Sequence, residues 1–188
     1  MYDIAIVGAG PAGASAAIFA AKAGKKTVVI DNDKGMTRRA KIWNHYGVKE
    51  IDGPDMVDLG KRQARDLGAE LIDDTVVNVT RIEGGFLIET EQQRKFEAAH
   101  VILATGATVE LAEKIGLRVK DGTEPRIKKV IDTDASGKTS VDGIWAAGTA
   151  AGVSVHTIIT AGDGAKVAIN VISLLNGERY VDHDVLKT

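Results

Sequence analysis

The chain has 188 residues, 44% hydrophobic and 27% charged, which suits one globular domain of ordinary size with a substantial core. Its formal net charge of −2 arises from 24 basic and 26 acidic residues, so no global basic field exists to hold nucleic acid or an anionic membrane. There is no cysteine, which excludes disulfides, thiolate metal sites and a dithiol relay built from these residues.

Asp3-Ile4-Ala5-Ile6-Val7 reads as a short buried parallel strand. Met1-Tyr2-Asp3 places no basic region ahead of it, so no signal peptide is read, and no apolar run approaches the roughly 20 residues of a bilayer span. A cytoplasmic location is therefore expected. A glycine-rich turn at Gly8 to Gly13 leads into the alanine-rich helix from Ala14 to Ala23, stopped by Gly24. Thr27-Val28-Val29-Ile30 is a second buried strand ending at Asp31, which completes a βαβ unit. Residues 32–52 read as irregular and polar. Gly53-Pro54 opens a helix from about Asp55 to Leu67, and Leu71-Ile72 is a short strand.

Residues 75–99 change character. Gly84-Gly85 marks a hairpin between Val77-to-Ile82 and Phe86-Leu87-Ile88, and a second turn leads to Lys95-Phe96-Glu97. The pattern predicts a three-stranded antiparallel meander inserted into the parallel fold. His100-Val101-Ile102-Leu103 is read as a further buried strand, Val109 to Ile115 as a short helix, and Ile127 to Ile131 as a short strand in a polar stretch. Gly143 to Gly148 is the last sheet strand, followed by a helix from near Ile158 to Leu175 with Gly177 past its end. The fold class is α/β: a Rossmann-like parallel sheet flanked by helices, carrying the β-meander, in one domain over residues 1–188.

Gly8-Ala9-Gly10-Pro11-Ala12-Gly13 satisfies G-x-G-x-x-G. The first glycine permits the tight turn, the second lets backbone approach a pyrophosphate, and the third allows close packing of helix on strand. Unpaired N–H groups at the helix start attract phosphate oxygens, and Pro11 has no N–H to lose there. The bare pattern recurs by chance. Its place between a buried strand and a helix, with Asp31 closing the next strand, makes it a dinucleotide fingerprint. Asp31 would accept hydrogen bonds from ribose hydroxyls and disfavours a 2′-phosphate. NAD and FAD are not separated by these residues.

Further motifs resemble the FAD domain of the thioredoxin reductase family over nearly the whole chain. Asn44-His45-Tyr46-Gly47 with Ile51-Asp52-Gly53-Pro54 is similar to that family's loop and helix entry. Ala104-Thr105-Gly106 resembles the close of its first FAD segment. Thr139 to Gly148 is similar to its second FAD motif, and Thr160-Ala161-Gly162-Asp163-Gly164-Ala165 to the start of the helix that points at the flavin. The resemblance implies a glutathione-reductase-type FAD-binding domain. It implies FAD contacts at Gly8, Gly10, Pro11, Ala12, Gly13, Asp31, Asn32, Lys41, Asn44, Val76, Ala104, Thr105, Gly106, Gly148, Thr149, His156, Thr157, Thr160 and Ala161.

Two departures stand out. The family inserts its nicotinamide domain, with its Cys-x-x-Cys, after Ala-Thr-Gly; here the second FAD motif follows too soon for such a domain. The family's second motif ends Gly-Asp, whereas this one ends Gly148-Thr149, and a neutral hydroxyl is a weaker acceptor than a carboxylate. The expected function is an FAD-dependent oxidoreductase exchanging electrons with freely bound NADH or a partner protein, without a disulfide relay. A non-catalytic FAD carrier or sensor and an NAD-binding Rossmann domain are the alternatives. Family members pair through this domain, so a homodimer is expected.

His156 is the candidate catalytic residue, since an imidazole can pass a proton beside the ring. His45 is read as a polar loop residue, and Trp43 and Tyr46 as packing or stacking residues. Lys34, Arg38, Arg39 and Lys41 form a basic loop that is more often solvated than functional. The four histidines lack metal-ligand spacing, and no G-x-S-x-G elbow supports serine hydrolysis.

Overall fold

The computed structural model describes residues 1–182 and 184–186. Strand β1 (Tyr2–Val7) runs into helix α1 (Pro11–Lys22), which returns the chain to β2 (Thr27–Asp31). Pro11 occupies the start of α1, so the helix begins three residues before the alanine run. The stretch read as irregular holds a 3-10 turn at Met36–Arg39 and a two-stranded hairpin, β3 (Lys41–Ile42) with β4 (Ile51–Asp52). These strands are too short to show a periodicity. Helix α2 (Gly53–Asp66) and β5 (Glu70–Asp73) follow.

The meander is β6 (Val76–Ile82), β7 (Gly85–Thr90) and β8 (Lys95–Leu103). The sequence reading separated Lys95-Phe96-Glu97 from His100-Val101-Ile102-Leu103; the structure makes them one strand with two partners. The first half of β8 pairs antiparallel with β7, Phe86 opposite Ala98 and Glu89 opposite Lys95. Its second half pairs parallel with β11 (Ile144–Ala146), Val101 opposite Ile144 and Leu103 opposite Ala146. Its other edge pairs parallel with β1 from Ala98 to Leu103. The change from alternating to continuous burial follows, because only the second half is covered on both faces. The sheet order is β5-β2-β1-β8-β7-β6, with β11 beside β8.

Between β8 and β11 the chain forms a short helix α3 (Glu110–Lys114) and a hairpin of β9 (Val119–Asp121) and β10 (Lys129–Ile131). Helix α4 (Thr157–Asn176) closes the fold, with Gly177 in the left-handed conformation at its end.

Alternate residues of β1 face opposite cores. Ile4 and Ile6 join the alanines of α1 with Val167, Val171 and Ile172 of α4. Ala5 and Val7 join Phe86 and Ile88 of the meander, Leu117 and Ile131. By length and mean hydropathy alone α4 could cross a membrane. Here it packs on α1, and two of its polar side chains bond to other parts of the fold: Asp163 holds Gly148 N–H, and Asn170 donates to Ser136 O.

Candidate functional site

Parallel strands β2, β1, β8 and β11 end together at Asp31, Val7, Leu103 and Ala146. A ligand crevice is expected at this carboxyl edge. The loops that leave it carry most residues singled out in the sequence. Gly8 has φ +97°, and a Cβ there would lie 2.4 Å from Ala104 O. A Cβ on Gly13 would lie 1.9 Å from Gly8 O, so α1 sits directly on the turn. At Gly10, by contrast, a Cβ would meet no atom within 4 Å: this is the glycine left open for a ligand. The first internal bond of α1 runs from Ala14 N–H to Gly10 O at 2.9 Å. No side chain caps α1, and its first turn has no acid, so the N–H groups of Ala12 and Gly13 suit an anion.

Asp31 closes β2 beside this turn. Its Oδ1 accepts Ala9 N–H at 3.0 Å, and its Oδ2 accepts Asp33 N–H at 3.2 Å. Lys61 of α2 also reaches Oδ2, at 2.6 Å, and Asp33 Oδ1 at 2.7 Å. Burial works against the Lys61 ammonium, but the two carboxylates outweigh it and hold its pKa above the ordinary lysine value. Burial likewise works against the Asp33 carboxylate, yet Lys61 and Arg38 hold its pKa below the usual range. Lys61 was not singled out in the sequence, where it is one of many helix lysines. A cavity of about 250 Å³ adjoins this cluster, lined by Asp31, Arg38, Lys61, Arg65 and Ile72 among others. It lies at the Asp31 end of the crevice.

The other end is built from distant segments. After β11 the chain makes a 3-10 turn, Gly148–Ala151, in which Gly148 has φ +73° and approaches Ala12 of α1. Asp163 of α4, 8% exposed, accepts Gly148 N–H at 2.8 Å and pairs with Lys166 at 2.6 Å. A Cβ on Gly164 would lie 2.0 Å from Ala12 O, so α4 rests on the first turn of α1. Turn, α1 and α4 are thus locked at one point. Thr149 is 7% exposed within this clamp. Asp163 supplies a nearby carboxylate, but its oxygens already serve the Gly148 amide and Lys166.

His156 is the N-cap residue of α4, which no side chain caps, and Thr160 is buried with its hydroxyl on Thr157 O at 3.1 Å. His45 Nδ1 lies 3.0 Å from Thr157 Oγ1, which ties the β3–β4 loop to the start of α4. The reading of His45 as a plain loop residue missed this contact, for which no local signal exists. Trp43 and Tyr46 are 69% and 92% exposed, so neither is a packing residue. Lys41 Nζ pairs with Glu50 at 2.5 Å across the β3–β4 hairpin, and Asn44 and Asn32 are exposed. Val76 opens β6 and is buried. Arg38 of the basic loop pairs with Asp33 and Asp58. Among the described residues, no three metal-capable side chains come together.

A parallel sheet with a glycine-rich first turn, an open Gly10 and two uncapped helix starts at its carboxyl edge defines a Rossmann-type dinucleotide-binding fold. Residues 2–124 match the family model for pyridine nucleotide-disulphide oxidoreductases, and the chain belongs to that family of flavoprotein oxidoreductases. The chain is 36% identical over 116 residues to a thioredoxin reductase of Peptoclostridium acidaminophilum, covering 60% of this chain and 36% of that protein. It is 36% identical over 120 residues to a thioredoxin reductase of Aquifex aeolicus, covering 61% and 36%. The chain thus spans about a third of the length of the curated relatives it matches. Its fold is shared with a thioredoxin reductase from Gloeobacter violaceus (TM-score 0.81, 18% identity, 99% of each chain covered). It is also shared with an atypical thioredoxin reductase from Desulfovibrio vulgaris Hildenborough (TM-score 0.83, 19% identity, 95% of this chain and 99% of that one).

Proposed function

We propose that this chain binds FAD along the carboxyl edge of its sheet and takes part in electron transfer between the flavin and freely bound NADH or a docked protein. The observation that carries the reading is the convergence of three loops on one edge: the uncapped start of α1 beside open Gly10, the Ala104–Gly106 turn, and the Gly148 turn clamped under α4. The pyrophosphate would rest on the N–H groups of Ala12 and Gly13. Asp31 would take the ribose hydroxyls, with Asn32, Val76, Thr105 and Gly106 around the adenosine. The start of α4, from His156 to Ala161, would meet the ring, with Lys41 and Asn44 in the loop nearby.

When bound, FAD supplies two-electron acceptance and donation. The protein supplies position and electrostatics. The partial positive charge at the start of α4 favours negative charge on the ring edge, and His156 holds or passes a proton there. The 188 residues carry no cysteine, so a dithiol in this chemistry would come from outside them. A single FAD domain over residues 1–188, a homodimer and a cytoplasmic location belong to the same reading.

Two observations favour a second reading, a flavin carrier or sensor with exchangeable cofactor. Thr149 stands where the family has a carboxylate, and Lys61 competes with a ribose for Asp31. The visible spectrum of the protein after FAD loading and desalting tests both readings. Retained flavin bands that bleach under anaerobic NADH are the expected result. Bands lost on desalting would favour the carrier, and calorimetry showing NAD but not FAD binding would overturn both.

A further inference from the structure

The β9–β10 turn, which neither nucleotide motif contains, reaches the start of α4 through a chain of hydrogen bonds. Ser154 Oγ donates to Glu124 Oε2 at 3.1 Å, and Val155 N–H donates to the same oxygen at 3.3 Å. Ser154 Oγ also lies 2.8 Å from His156 Nδ1. The polarity of this chain follows from its far end. A carboxylate only accepts, so the single hydroxyl proton of Ser154 is committed to Glu124. The serine oxygen then has only lone pairs to offer, and His156 Nδ1 has to carry the proton between them. Neutral His156 is therefore the Nδ1–H tautomer, the reverse of the form that a free histidine side chain prefers. Its Nε2 bears the lone pair, on an exposed residue at the N-cap position of α4.

We propose that Glu124 and Ser154 are positioning residues that set His156 as a general base, with Nε2 available at the ring end of the crevice. This role rests on the reading that the crevice holds FAD. When bound, FAD would pass two electrons to a docked redox protein, a change that also releases protons. The lone pair of His156 Nε2 would accept one of these protons, forming an N–H bond on the imidazole and leaving the former bonding pair on the donor. The resulting imidazolium still donates from Nδ1 to Ser154, so the chain to Glu124 survives in both states and no heavy atom has to move. The proton then leaves from the exposed ring to solvent.

Nitrogen-15 NMR of the histidine rings in the FAD-free protein near neutral pH reads the tautomer directly. His156 is expected as Nδ1–H in the wild type. Ser154→Ala is expected to turn it to Nε2–H, Glu124→Ala to do the same by freeing the Ser154 proton, and Ser154→Thr to restore the wild-type form. Backbone amide spectra of each variant check that the fold persists. Nε2–H in the wild type, or Nδ1–H surviving in Ser154→Ala, overturns the proposal. In FAD-loaded protein, the His156 Nε2 signal is expected to differ between oxidised and reduced samples, and Ser154→Ala to lose that difference. Retained flavin with an unresponsive Nε2 overturns the role of His156 while leaving the cofactor reading intact. No FAD binding in a titration, with the tautomer as stated, overturns the cofactor reading and the role with it.

Discussion

The two ends of the crevice are built in different ways. At the Asp31 end, strand, turn, helix and acceptor all come from residues 2–31, a continuous βαβ unit whose parts touch because they are neighbours in the chain. At the α4 end, the parts come from His45, Glu124, Gly148 and residues 154–164, brought together only by the sheet and the packing of α1 on α4. The first is stiff backbone geometry; the second is a set of side-chain hydrogen bonds around a packed point. Damage to the Gly8–Gly13 turn should act through the whole fold, and damage at the second end should cost no more than the hydrogen bond removed.

The sharpest contrast lies at Gly13. A methyl group there would stand 1.9 Å from Gly8 O, which is backbone and cannot step aside. Gly13→Ala is expected to cost about 3 kcal/mol in denaturant unfolding and to abolish FAD retention. At the other end, Asp163→Ala leaves the Gly148 N–H without its acceptor inside the clamp. A loss of about 2 kcal/mol is expected, with Asp163→Asn losing less because its amide oxygen still accepts. Equal losses in the two variants would mean that charge, through Lys166, matters more than the amide bond.

Lys61→Met sharpens the comparison further, since it removes the ammonium from Asp31 Oδ2 and leaves only Asp33 N–H there, without touching the turn. FAD affinity should rise about fivefold, or about 1 kcal/mol, by fluorescence titration. An unchanged affinity would show that a bound ribose does not use that oxygen.

The smallest effect expected is on the pH dependence of stability, and its acid limb concerns neither end. Burial of Asp74 works to raise its pKa, but the Thr90 hydroxyl, Thr75 N–H, Arg94 and Gln92 N–H outweigh this and hold it below the usual carboxylate range. A depressed carboxylate contributes stability that is present above its unfolded pKa of about 3.9 and lost as pH falls through the folded value. Acid unfolding should therefore steepen below about pH 4, and Arg94→Met should flatten that limb. Lys61 has the opposite sign: its contribution is complete below about pH 10 and fades as pH rises through the raised folded value.

Much of the fold was legible because it rests on local patterns. The apolar runs at Ile4, Val28 and Val101 and the glycine stops at Gly24 and Gly177 mark strands and helix ends in the sequence as in the structure. The division of β8 into two strands was an error of periodicity. Its pattern changes at Ala98 because its neighbour changes from β7 to β11, not because the strand stops. The strand read at Ile127 to Ile131 is β10, but its partner β9, the 3-10 turn and the β3–β4 hairpin were invisible for want of length.

By itself the sequence determined the βαβ unit, the fingerprint at Gly8 to Gly13, the acid at Asp31 and the absence of cysteine, since each depends on residue type at short spacing. Only the tertiary structure decided that Lys61 sits on Asp31, that Asp163 holds Gly148, that His45 reaches Thr157, and that Glu124 and Ser154 dictate which nitrogen of His156 carries a proton. Three of these four pairings join residues at least 15 positions apart, and the fourth chain spans 32 positions. Hydrogen bonds at such separations leave no period in the sequence; they exist because the sheet carries both ends to the same edge.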